Sequence, residues 1–95
     1  MKNILIAYDL NKTGQAYDSL IQAYDSLIQA IESYKYYGEI QRSVWYIKTN
    51  QTATAVKDYL SLFIDKNDSL FVCEMIDCDW FGIYPNVVKY IQDNW

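Results

Sequence analysis

The ionisable side chains of this chain limit the chemistry that it can perform. It contains 12 acids and 8 bases but no histidine. A Ser-His-Asp triad and a His-ligated zinc site are both excluded, because each of them needs an imidazole. Any reaction must therefore run on carboxylates, hydroxyls, thiols or amines.

The thiols form no recognisable site. Cys73 and Cys78 are the two cysteines, and they lie five residues apart at the end of an apolar run. One pair cannot make a zinc site by itself, and the spacing is not that of a CxxC redox motif. We therefore interpret both as free thiols in a reducing cytoplasm.

The charge balance bears on the partners of the protein. The net charge is −4, which argues against a broad nucleic-acid-binding surface, since such a surface needs Lys and Arg to displace counterions from phosphates. A local basic patch, or a metal ion between phosphate and carboxylate, stays open. The N-terminal apolar stretch is too short for a signal peptide, and no stretch approaches the ~20 residues of a membrane span. We expect a soluble, cytoplasmic protein with no membrane partner.

The elements that must position these side chains follow from hydrophobic periodicity. Asn3 to Tyr8 is an apolar run that predicts a strand buried on both faces, and Asp9 ends it. From Gln15 to about Tyr36, apolar residues recur at intervals of three or four and predict one helix. Leu70 to Ile76 predicts another strand.

The segment between the first helix and that last strand alternates. Glu39 to Thr49 predicts either one bent strand or two strands joined by a tight turn near Gln41-Arg42. Asn50 or Thr52 can cap a second helix. Pro85 stands at a plausible first position of a third helix, which would run to Asn94.

One heptad is written twice. Gln15–Ile21 and Gln22–Ile28 are identical, and Gln29-Ala30 repeats the first two residues of the heptad once more. Seven residues turn ~700°, within ~20° of two full turns, so the insertion preserves the apolar face and lengthens the helix by ~10.5 Å. A coiled-coil seam needs three or four heptads. We interpret the repeat as a duplication that the fold tolerates within one continuous helix. Its extra turns would overhang the sheet and expose apolar side chains unless the tail or a second subunit covers them. The alternative is that one copy loops out and the other fills the original site.

The resulting order predicts the fold class. Residues 1–95 form a single α+β domain, with a core at about 1–77 and a C-terminal tail at 78–95. If the alternating segment is two strands, the order is βαββαβ, a ferredoxin-like sandwich with an extended first helix and a short C-terminal helix. Ten tyrosines exceed what a core needs and suit an interface.

Three stretches resemble the small CRISPR-associated adaptation protein. ILIAYDL (4–10) is similar to its first strand, GEIQRSVW (38–45) to its second signature, and Ile64-Asp65 with DSLFV (68–72) to the entry of its last strand. The YDLNK opening and the WYIKTN stretch look still closer to its short SinR-like relatives. VapD-type ribonucleases resemble the chain more distantly.

The resemblance implies a homodimer, joined through its sheets or last strands, with a metal-dependent endonuclease site. Asp9 from each subunit would hold Mg²⁺ or Mn²⁺ between two carboxylates and act on RNA or DNA. Tyr8 and Ser43 would line the site and contact the substrate, together with Lys12. From its residue type alone, Arg42 is a further candidate for a phosphate contact, with a solvated charge on an alternating strand as the alternative.

This sequence departs from the active relatives of that family. They carry arginines soon after the aspartate, where this chain offers only Lys12. Asp9 also has a structural alternative, because an aspartate beyond a strand can accept N–H bonds in the following turn. The alternative function is a non-catalytic dimeric scaffold whose Tyr- and Trp-rich surface binds a protein partner.

Overall fold

A computed structural model describes residues 1–10 and 17–95. Within them the chain is a small α+β unit with a four-stranded antiparallel sheet and three helices. A short 3₁₀ turn at Ser61–Phe63 follows the second helix. The elements, in chain order, are β1 (Lys2–Asp9), α1 (Tyr17–Glu32), β2 (Tyr36–Gln41), β3 (Val44–Thr49), α2 (Ala53–Leu60), β4 (Ser69–Met75) and α3 (Pro85–Asn94).

The strands lie in the order β2-β3-β1-β4, and all three pairings are antiparallel. β1 is an inner strand, which fits the nearly continuous apolar run in its sequence. β4 is equally apolar but lies at an edge, where Leu70 and Val72 pack against the core. The alternating segment, residues 39–49, contains the end of β2 and the whole of β3, so it forms two strands rather than one bent strand.

The main core lies between one face of the sheet and the first two helices. Ile4 and Ile6 of β1 pair in register with Ile47 and Trp45 of β3, so their side chains share this face. Against them pack buried side chains of both helices, Leu27, Ile31, Val56 and Leu60. The apolar face of α1 that the sequence predicts thus supplies part of this layer.

The opposite face of the sheet is partly covered by α3. Tyr46 of β3 points to this side and is fully buried. Its hydroxyl donates to Asn3 Oδ1 at 2.7 Å, and its ring lies against the rings of Tyr90 and Trp95. The segment predicted as a tail thus supplies the covering layer of the second sheet face.

Helix α1 runs without a break through the duplicated heptad from Tyr17 onward. This confirms the continuous helix over Tyr17–Glu32, while Gln15 and Ala16 lie outside the described residues. The predicted end at Tyr36 is wrong, because the helix ends at Glu32 and Tyr36 already pairs with Lys48 in the sheet. Ile21 is 41% exposed, whereas Tyr24 packs against the core.

The sequence also predicted where α2 and α3 begin and where the turn between β2 and β3 lies. The Thr52 hydroxyl accepts the Ala55 N–H at 3.1 Å and caps α2, which decides between the two cap candidates. Pro85 is the first residue of α3, as predicted. The tight turn between β2 and β3 consists of Arg42 and Ser43, one residue later than expected.

Candidate functional site

Asp9 is the last residue of the inner strand β1, and its side chain is exposed. It pairs in register with Ser69, the first residue of β4, whose hydroxyl donates to the Asp9 carbonyl at 3.5 Å. A surface depression of about 430 Å³ opens here, and Phe71 lines it together with Asp9 and Ser69. The carboxylate therefore stands in a concave region at one end of the sheet.

The β2–β3 turn lies at the same end. Ala7 pairs with Val44, and the Tyr8 N–H donates to the Ser43 carbonyl at 3.1 Å, so the turn runs beside the end of β1. Ser43 has a φ of 64°, the left-handed region that non-glycine residues seldom occupy. Arg42 is exposed in this turn. The sheet thus brings Asp9, Arg42 and Ser43 to one end.

Tyr8 lies on the opposite side of β1 from Asp9, since side chains alternate along a strand. It is 7% exposed, its hydroxyl accepts the Trp45 indole N–H at 3.2 Å, and its ring lies 6.0 Å from that of Tyr24. Burial raises the pKa of the Tyr8 phenol, despite the opposing Trp45 hydrogen bond. The structure places this hydroxyl in the core between sheet and helices, where it fixes the strand that ends in Asp9.

The oxygen atoms around Asp9 are suitable ligands for a hard cation, but there are few of them. The Asp9 carboxylate and the Ser69 hydroxyl are oxygen groups, which Mg²⁺ and Mn²⁺ prefer. Residues 1–10 and 17–95 contain no cluster of three or more His, Cys, Asp or Glu that could hold a metal ion. Lys12 lies outside the described residues. A divalent ion at Asp9 would need further ligands, such as the equivalent carboxylate of a second copy.

A second concave region lies on the α3 side of the sheet. Leu5 and Val44 form its floor, while Met75, Trp80, Ile83 and Val88 form its walls around a volume of about 330 Å³. The loop before α3 is unusually apolar at its surface, because Phe81 is 98% and Ile76 89% exposed. Cys78 also lines this groove, and burial followed by the charges of Asp77 and Asp79 raises the pKa of its thiol.

Two residues near Asp9, Ser69 and Phe71, were not predicted as site residues, although both lie in the DSLFV stretch (68–72). Ser69 joins the site because of the β1–β4 register, and Phe71 because the next outward position of β4 is aromatic and 63% exposed. Both stand more than 55 residues from Asp9 in the chain, so no local spacing signals them. The one available hint was Phe71 itself, an aromatic residue in an apolar strand.

No family model matches this chain, and no curated protein matches it. In the part of the chain that the structure describes, no helix is both long and apolar enough to cross a membrane.

Proposed function

We propose that this chain is a ferredoxin-like domain that pairs with a second copy of itself and acts as a metal-dependent endonuclease on RNA or DNA. The observation that carries the proposal is the position of Asp9, an exposed carboxylate at the end of inner strand β1, beside Ser69 and the Arg42-Ser43 turn. The β2-β3-β1-β4 order, with α1 and α2 on one face, supports the fold assignment.

The second copy is part of the proposal because one chain supplies too little charge and too few ligands. Two Asp9 carboxylates brought together would repel each other, and a divalent ion relieves that repulsion. Such an ion supplies a water of lowered pKa that can attack phosphorus, and it polarises the phosphate. Arg42 is exposed at the same end and would contact a phosphate of the substrate.

The test is a cleavage assay with single-stranded RNA and duplex DNA in Mg²⁺ or Mn²⁺. We expect cleavage by the unmodified protein and a loss of at least about 100-fold in Asp9→Asn, because that change removes a metal ligand. Asp77→Asn is the matched control, since Asp77 is an exposed acid just beyond Met75, which pairs with Asn3 at the opposite end of β1 from Asp9. It should cleave normally.

Two results would count against the nuclease. Equal cleavage by the unmodified protein and Asp9→Asn would identify a contaminating enzyme. A sedimentation mass of one chain at micromolar concentration would remove the two-carboxylate site.

The surface of the α3 side favours a second candidate function, a non-catalytic dimeric scaffold that binds a protein partner. Phe81, Ile76 and Tyr84 are 98%, 89% and 66% exposed, and exposed apolar patches mark interaction sites. Absence of cleavage would favour this function if a specific partner is captured by the unmodified protein and by Asp9→Asn but not by Phe81→Ser.

A further inference from the structure

A groove along the outer edge of β2 combines aromatic rings with carboxylates. It is a shallow depression that opens widely to solvent, with a volume of about 560 Å³. Four aromatic side chains and two acids line it, namely Tyr37, Trp45, Tyr84, Tyr90, Glu32 and Glu39. They come from the end of α1, from β2 and β3, and from the start and middle of α3.

Three of the four rings, those of Tyr37, Trp45 and Tyr90, are held by contacts within the fold. The Tyr90 hydroxyl accepts the Tyr37 backbone N–H at 3.2 Å, so it covers part of the open edge of β2. The rings of Tyr37 and Trp45 lie 6.3 Å apart, and the Trp45 indole donates to Tyr8. Tyr84, at the N-cap of α3, is 66% exposed and forms the outer wall.

The groove carries negative charge, and no basic side chain in its lining balances that charge. No Lys or Arg lines it, and neither Glu32 nor Glu39 forms an ion pair with another described residue. The nearby cations have other contacts, since Lys35 lies over the Tyr36 ring at 5.4 Å and Lys89 pairs with Asp93 at 2.8 Å. The start of α3 adds only about +0.5 of a charge, less than the −2 of the two carboxylates.

We propose that this groove binds a small organic ammonium ion, with an alkylated nitrogen against the rings and its charge balanced by Glu32 and Glu39. Aromatic faces attract cations, and an alkylated ammonium gives up its water more readily than an inorganic ion does. A neutral apolar ligand would leave two carboxylates partly desolvated without a partner. An anion would be repelled. Asp9 does not line this groove, so the assignment is independent of the proposed nuclease.

The test compares choline with its neutral isostere, in which a carbon atom replaces the nitrogen. Titrations of the full chain would be followed by NMR at the Trp45 indole N–H. We expect choline to bind about 10-fold more tightly than the isostere, since a cation held by aromatic faces gains about 1.4 kcal/mol. Equal binding of the two, or no binding of choline, would overturn the proposal.

Matched variants separate each part of the groove from general effects on the fold. Tyr84→Leu should weaken choline binding several-fold, whereas Phe81→Leu, an exposed aromatic three residues away, should not. Glu39→Gln should weaken it several-fold, whereas Glu74→Gln on the opposite edge strand should not. Unchanged binding in both groove variants would refute the site. A trimethyl-lysine peptide that binds where choline does not would refute the assignment to a free small molecule.

Discussion

Deletions of different length test whether helix α1 absorbs the duplicated heptad in phase. Removing Gln22–Ile28 yields the same chain as removing Gln15–Ile21, because the copies are identical. The remaining copy can therefore take the inner position with every core residue unchanged, including Ala23 at 9% and Leu27 at 0% exposure.

One part of the cost of that deletion is the loss of the Ile21 side chain. Ile21 is 41% exposed, and full burial of an isoleucine contributes about 1.5–3 kcal/mol. Loss of this partly buried side chain should therefore lower the free energy of unfolding by about 1–2 kcal/mol. Removing an overhang that exposes apolar surface offsets part of this, so equal or higher stability is also consistent with the fold.

A shorter deletion should do more damage. Removing Gln22–Ser26 takes out five residues, turns the outer segment out of phase, and brings Asp18 to the position of Ala23. A carboxylate would then replace a buried methyl group, and Ser19 would replace Tyr24, whose ring packs on Tyr8. Leaving a charge buried without a partner costs about 3–5 kcal/mol, a large part of the stability of a small domain.

Urea unfolding followed by tryptophan fluorescence measures both variants. We expect the seven-residue deletion to keep a midpoint close to that of the unmodified chain, and the five-residue deletion to shift it strongly downward. The reverse order would refute the claim that the helix absorbs the repeat in phase. Failure of the seven-residue deletion to fold would mean that the outer copy is part of the core.

Two further predictions concern single side chains. Thr52→Ala removes the cap of α2 and should lower the free energy of unfolding by about 1 kcal/mol in urea titrations, and a change below the error of the titration would contradict this. Burial, followed by the charge of Tyr90, raises the pKa of Tyr46 from 10.0 to about 12. The folded state therefore favours the neutral phenol. This contribution to stability is complete below pH 10 and is lost as the pH rises toward 12. Tyr46→Phe should therefore lose less stability than the unmodified chain between those pH values, and parallel alkaline decline of the two proteins would contradict this.

The sequence predicted those parts of the fold that depend on local periodicity. The phase of α1 and the cap at Thr52 are short-range signals, and both matched the structure. The end of α1 was wrong because the apolar stripe continues to Tyr34, whereas the Ser33 hydroxyl bonds back to the Ala30 carbonyl and the chain leaves the helix. The spacing of apolar residues gives no information about that hydrogen bond.

The arrangement of α3 could not be predicted from spacing. Its Tyr90 contacts Tyr37 and Tyr46, which lie more than 40 residues earlier in the chain. The aromatic groove along β2 depends on that packing, so the excess of tyrosine was visible in the sequence but its location was not. The same holds for Ser69, which reaches Asp9 only through the register of β4 against β1.

Titration of Mn²⁺ by calorimetry tests the paired-carboxylate site most directly, because the stoichiometry reports whether two chains share one ion. The proposal predicts one Mn²⁺ per two chains, in a species with the sedimentation mass of a dimer, and no binding by Asp9→Asn. Binding of one ion per chain, or binding that survives Asp9→Asn unchanged, would contradict it.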